Sequence, residues 1–204
     1  MPLDPLAKIT YGLFVAATKD VSGRDVGCIV NTACQVTVTP TMVSLTVNKM
    51  NHTAGSIEAS GVFTISMLDT TADFNLIKNF GFQSSKDADK FKGFETARAK
   101  NGVVYLTKNV CAYLGCSVKQ VIDLGTHLMF IGLVEESGNL SETEPLSYAY
   151  YHANIKPKPE QPKGSKKVWR CKICGYIYDG ENLPPDFICP LCKHGAADFE
   201  LVEV

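Results

Sequence analysis

Four cysteines near the C-terminus carry the most specific chemistry in the chain. Cys171-Lys-Ile-Cys174 and Cys189-Pro-Leu-Cys192 are two C-x2-C pairs with 14 residues between them. A tight turn within each pair sets both sulfurs on one ion, and two such knuckles complete a tetrahedral shell of four thiolates. Gly175 follows the second cysteine, where a positive φ turns backbone N–H groups toward sulfur. By spacing alone the shell suits zinc or iron. The 37 residues from 168 onward can bury little apolar surface, so ligation would supply much of their folding free energy. His194, two residues past the last ligand, reads as a surface residue because four sulfurs already fill the shell.

A second set of chemically capable residues interrupts apolar runs earlier in the chain. These are Asn31-Thr-Ala-Cys-Gln35, Asn48-Lys-Met-Asn-His-Thr53, and the stretch from Gly81-Phe-Gln-Ser-Ser85 to Lys90. Hydroxyls, exposed N–H groups and a lysine can neutralise a phosphate, while amides and backbone groups can bond a flavin ring. The same residue types populate ordinary turns, so chemistry alone does not decide. His127 precedes an apolar run, which places it at a strand mouth; His52 and His152 read as surface residues. Cys28, Cys34, Cys111 and Cys116 sit in strand-like runs and read mostly as core thiols. The spacing of Cys111 and Cys116 puts them on opposite faces of a regular strand, against a second metal site.

These residues need a scaffold, and composition outlines it. Residues 156–167 hold three prolines and five lysines with no apolar side chain, which marks a semi-rigid, solvated linker. It separates a domain at 1–155 from a small one at 168–204. Within 1–155 the apolar runs are short and rich in β-branched residues: 12–18, 27–30, 35–38, 42–47, 62–67, 103–106, 111–122 and 128–134. They are predicted strands, separated by turn clusters such as Asp20-Val-Ser-Gly23, Asn101-Gly102 and Ser137-Gly138-Asn139, at the intervals of an antiparallel barrel. Helices are predicted at 53–60, at 71–80 with Asp73 in the first turn, and in a short piece at 87–91. No G-x-G-x-x-G follows a strand, which disfavours a Rossmann domain.

Composition also excludes partners. A formal net charge of −1 provides no basic field for wrapping nucleic acid or adhering to an anionic membrane. No secretion signal or long apolar run is evident, so the expected compartment is the cytoplasm, where eight cysteines read as metal ligands or buried thiols rather than disulfides.

The surrounding residues then shift the balance between metals. Trp169-Arg-Cys-Lys-Ile-Cys-Gly-Tyr-Ile-Tyr178, Asp186-Phe-Ile-Cys-Pro-Leu-Cys192 and Asp198-Phe-Glu-Leu201 closely resemble rubredoxin, a one-iron electron carrier, with a shorter stretch between the knuckles than free-standing rubredoxins have. The resemblance implies iron on Cys171, Cys174, Cys189 and Cys192, over a small core of Trp169, Tyr176, Phe187 and Phe199; Tyr178 is left without a role. Residues 1–155 resemble the flavin reductase-like family. The residues that carry this are Tyr11-Gly-Leu-Phe-Val15, Gly27-Cys-Ile-Val-Asn-Thr-Ala-Cys-Gln-Val36, Val47-Asn-Lys-Met-Asn-His-Thr53, Gly81-Phe-Gln-Ser-Ser85 with Asp89-Lys-Phe91, Asp123-Leu-Gly-Thr-His127 and Tyr148-Ala-Tyr-Tyr151. That resemblance implies an FMN-binding split β-barrel, mainly β with a few helices, that forms a homodimer. It implies that Asn31, Thr32, Ala33, Cys34 and Gln35 line the flavin, that Asn48, Lys49 and Thr53 take its phosphate side, and that Lys90 is a further FMN contact. It also sets His127 beside flavin and nicotinamide, in an orienting role, with Tyr150 and Tyr151 as ring neighbours.

Joined, the halves resemble the high-molecular-weight rubredoxins. The implied function is electron transfer from NAD(P)H through FMN to a rubredoxin-type iron and on to an acceptor protein, a flavodiiron nitric-oxide or oxygen reductase. Two alternatives stay open: a flavin reductase supplying reduced flavin to another enzyme, and a zinc-ribbon binding module on a flavin-fold scaffold. The net-acidic tail weighs against nucleic acid as a partner of the latter.

Overall fold

The computed structural model describes residues 8–157, 167–190 and 194–203. The chain divides into two compact units, Met1–Lys156 and Pro157–Val204, and each is described by itself. Most of the stretch expected to be the linker lies outside the described residues.

The first unit is built on β1 (Phe14–Lys19), β2 (Asp25–Val30), β3 (Ala33–Thr37), β4 (Met42–Asn48), β5 (Val62–Leu68), β6 (Thr96–Arg98), β7 (Val104–Leu106), β8 (Val110–Asp123) and β9 (His127–Asn139), with helices α1 (His52–Ser60) and α2 (Phe74–Gly81). Seven strands form one sheet in the order β2-β1-β5-β8-β9-β4-β3, every described pairing antiparallel. β2 and β3 stand at opposite ends of that order, so the barrel is split. β6 and β7 form a separate hairpin.

Side-chain alternation sets which face of the sheet is buried. Val43, Leu45 and Val47 on β4 point inward with Phe130 of β9 and Phe63 and Ile65 of β5, and all join one core with Ala54 and Ile57 of α1. β1 is buried on both faces: Ala16 joins that core, while Val15 and Ala17 join a second one with Leu76, Ile77 and Phe80 of α2. After β9 the chain makes a short helix, α3 (Tyr148–Tyr150), that runs into one π-helical turn, Tyr151–Ile155. Among the described residues no helix is long and apolar enough to cross a membrane.

Several local expectations are corrected. Asp73 is the N-cap of α2, its carboxylate accepting from Leu76 N at 2.9 Å, so the helix starts later than the apolar spacing suggests. Residues 87–91 form turns, not a helix. Ser137 and Gly138, read as a turn, lie within β9 opposite Leu114 and Tyr113. β6 has no counterpart in the sequence reading.

The second unit is a three-stranded sheet, β11-β10-β12, made of β10 (Lys167–Cys171), β11 (Ile177–Tyr178) and β12 (Phe199–Glu203). Trp169, Tyr176, Phe187 and Phe199 pack with Cys171 and Cys189 as expected, and Tyr178 joins them, its ring 4.8 Å from that of Phe187.

Candidate cofactor sites

The cysteine knuckles are set by β10 and the turn that follows it. Cys171 ends β10, where its N–H bonds Tyr176 O at 2.9 Å, and Gly175 adopts φ +78° while its N–H returns to Cys171 O at 2.8 Å. Only glycine takes that φ without strain. On the second knuckle Cys189 N bonds His194 O at 2.8 Å. The result brings the sulfurs of Cys171, Cys174 and Cys189 within 4.8 Å of one another, with Cys174 Sγ 3.5 Å from Cys189 Sγ. Metal–sulfur bonds of about 2.3 Å in a tetrahedron require sulfur–sulfur edges of about 3.8 Å, so these thiols fit one ion. Cys192, the fourth expected ligand, lies outside the described residues.

In the first unit the expected flavin residues converge on one corner of the sheet. β4 lies between β3 and β9, and its last residue, Asn48, pairs with His127 at the start of β9. Lys49 N bonds Thr126 O at 3.0 Å, and Lys49 Nζ lies 2.6 Å from Asp123 Oδ1. Lys49, with Gly125 N donating next to it, holds the Asp123 carboxyl below the usual carboxylate range. Thr126 Oγ1 and His127 Nδ1 are 2.8 Å apart. On the other flank Thr32 Oγ1 donates to Thr46 O at 2.6 Å and Thr46 N to Thr32 O at 3.1 Å, which brings Asn31 and Thr32 alongside the end of β4. Ala33, Cys34 and Gln35 follow down β3 opposite Leu45, Ser44 and Val43, with Cys34 and Gln35 exposed.

Two expected contacts are buried. Thr53 is only 1% exposed and meets the Cys28 thiol, on the face of α1 that buries Thr53, Ala54, Ser56 and Ile57. Lys90 is 3% exposed, and its ammonium donates to Gly27 O at 3.0 Å and Phe80 O at 2.9 Å. Burial lowers its pKa. Its donors serve the backbone of β2 and α2 rather than the corner that holds Lys49.

His52, read as a surface residue, is a further correction. Its Nε2 is enclosed, 3.7 Å from Asp20 Oδ2. Of the remaining cysteines, Cys28, Cys111 and Cys116 are buried and Cys34 is exposed, so Cys34 alone departs from the core reading. Tyr151 is buried and Tyr150 is 41% exposed. Asp123 is the site residue that sequence reasoning gave no role, since 74 residues separate it from Lys49; its Asp-Leu-Gly turn pattern is the only local signal.

The corner suits a phosphate-bearing flavin on its donor set. Lys49 supplies a cation, Asn31 and Asn48 amides, and His127 a ring. α1 begins three residues beyond Lys49, with no acidic residue in its first turn and no side-chain bond from its cap residue Asn51, so its first N–H groups lie near the same corner.

Comparison with known proteins accords with both halves. Residues 6–157 match the flavin reductase like domain, and residues 169–200 match the rubrerythrin, rubredoxin-like domain. The high molecular weight rubredoxin of Moorella thermoacetica is 34% identical, over 99% of this chain and 100% of its own length. A ferric-chelate reductase (NAD(P)H) of Archaeoglobus fulgidus is 35% identical over 78% of this chain and 93% of its own. Among solved structures, nitrilotriacetate monooxygenase component B of Mycobacterium thermoresistibile superposes with a TM-score of 0.62 at 25% identity, covering 70% of this chain and 77% of that one.

Proposed function

This chain belongs to the flavin reductase-like family and ends in a rubredoxin-like domain, and from that premise we propose that it carries electrons from NAD(P)H, by way of FMN and one iron, to an acceptor protein. The observation that carries the reading is the convergence of Cys171, Cys174 and Cys189 on one point in a chain whose other unit is a flavin reductase fold. Bound FMN accepts an electron pair and releases electrons singly, and an iron in a thiolate shell exchanges one at a time.

The residues of the chain bind and orient. Lys49 and the N-terminal end of α1 neutralise the phosphate. Asn31, Thr32, Ala33, Cys34 and Gln35 line the flavin along β3, and Asn48 fixes the turn from β4 into α1 by accepting from Met50 N at 2.8 Å. His127 orients the nicotinamide through its ring, with Nδ1 held 2.8 Å from the Thr126 hydroxyl. Cys171, Cys174, Cys189 and Cys192 hold the iron. A homodimer through the first unit would cover the edge strand β3 and the turn that follows it, where Val36 and Val38 stand 47% and 75% exposed. The family resemblance makes a flavodiiron nitric-oxide or oxygen reductase the acceptor to try first.

Replacing Cys174 by Ser tests this. Reduction of the acceptor protein by NAD(P)H should fall at least about tenfold through the damaged shell, while reduction of bound flavin continues at the wild-type rate. The similarity of this chain, over 78% of its length, to a ferric-chelate reductase (NAD(P)H) favours a second reading, in which the flavin unit serves free acceptors and the tail is accessory. Undiminished acceptor reduction in the Cys174→Ser protein would select that one.

A further inference from the structure

We propose that Asp123 limits how tightly this chain holds a phosphate-bearing flavin, by competing with the ligand's phosphate for the ammonium of Lys49. The inference rests on the reading of Lys49 as the phosphate contact, and it assigns the neighbouring carboxylate a role of its own.

The geometry is a lysine tied to one turn at both ends. Its backbone N–H bonds Thr126 O at 3.0 Å, and its Nζ sits 2.6 Å from Asp123 Oδ1. Asp123 is itself fixed, because the same Oδ1 accepts from Gly125 N at 2.8 Å in a turn that Gly125 closes at φ +80°. Among the described residues Asp123 is the one carboxylate in ion-pair contact with Lys49. The corner therefore has a lysine whose charge is already matched when no ligand is present.

An arriving phosphate must draw Lys49 from that carboxylate. The turn holds Asp123 in place after the ammonium leaves, so the carboxylate remains as a like charge beside the dianion. Both effects weaken the ligand and spare a flavin that carries no phosphate. The side chains of Lys49 and Asp123 keep 38% and 64% of their exposure, so solvent screens the pair and the effect is modest.

FMN and riboflavin share one ring system and differ in the phosphate, so their affinities for full-length protein stripped of flavin separate the possibilities. The wild-type protein should bind FMN more tightly than riboflavin. Asp123→Asn keeps an oxygen for Gly125 N while removing the charge, and should tighten FMN about two- to fivefold with riboflavin unchanged. Asp123→Ser should act in the same direction, and in a Lys49→Met background Asp123→Asn should no longer affect FMN. A ratio of FMN to riboflavin affinity that stays constant or falls in Asp123→Asn would overturn the role of Asp123 and leave Lys49 as a phosphate contact. A wild-type protein with no preference for FMN would instead remove the phosphate contact itself, and this inference with it.

Discussion

At Tyr113 the fold has taken a phenol out of water and stacked it on Tyr105, ring centroids 3.8 Å apart and interplanar angle 2°, with its hydroxyl donating to Glu136 Oε1 at 3.0 Å. Burial first, and the bond to Glu136 next, push its ionisation up to about 12. An unfolded tyrosine ionises near about 10. The unfolded chain thus loses this proton first: the stabilisation is complete below about pH 10 and is lost as pH rises through the folded value. Tyr113→Phe should flatten the fall in urea midpoint above about pH 10 that wild type shows, and an unchanged slope would contradict the assignment. Lys90 and Thr53, which the family resemblance sets beside the flavin, are both buried by the packing of α1 and α2 against the sheet, and no local sequence signal reports that packing. The knuckle cysteines and Gly175 were legible because their chemistry depends on neighbours within a few residues.

Among the elements, the strands of the first unit were readable wherever alternation and turn chemistry agree, as at β4 and at the Asp20 and Asn101 turns. They were misread where a long-range contact decides. Ser137-Gly138-Asn139 has the composition of a turn, but a Cβ on Gly138 would lie 2.6 Å from the Tyr113 ring, so the glycine there makes room for a cross-strand partner. Gly132 of β9 has the same relation to the core: its Cβ would stand 2.4 Å from Phe63 Cζ, and Phe63 is fully buried. Gly132→Ala should destabilise the first unit by about 1–3 kcal/mol through overpacking, read as a lower urea midpoint. Gly55→Ala, within α1 with nothing within 4 Å of the new Cβ, should be neutral or stabilising by about 0.5–1 kcal/mol. Equal effects at the two positions would contradict the packing account.

At the scale of the whole molecule, two units with separate cores and separate donor sets share one chain. A nicotinamide gives up an electron pair as hydride and a single iron takes one electron, so the pairing has a chemical logic that neither unit has alone. The most direct test of electron passage through both cofactors is the visible absorption spectrum of the full-length protein, taken anaerobically before and after NADH, on a sample whose iron, zinc and flavin contents are known. Flavin absorption and thiolate-to-ferric bands should both be present, and both should bleach on NADH. Ferric bands that persist after the flavin has bleached, or a colourless tail holding zinc in protein made with ample iron, would contradict it.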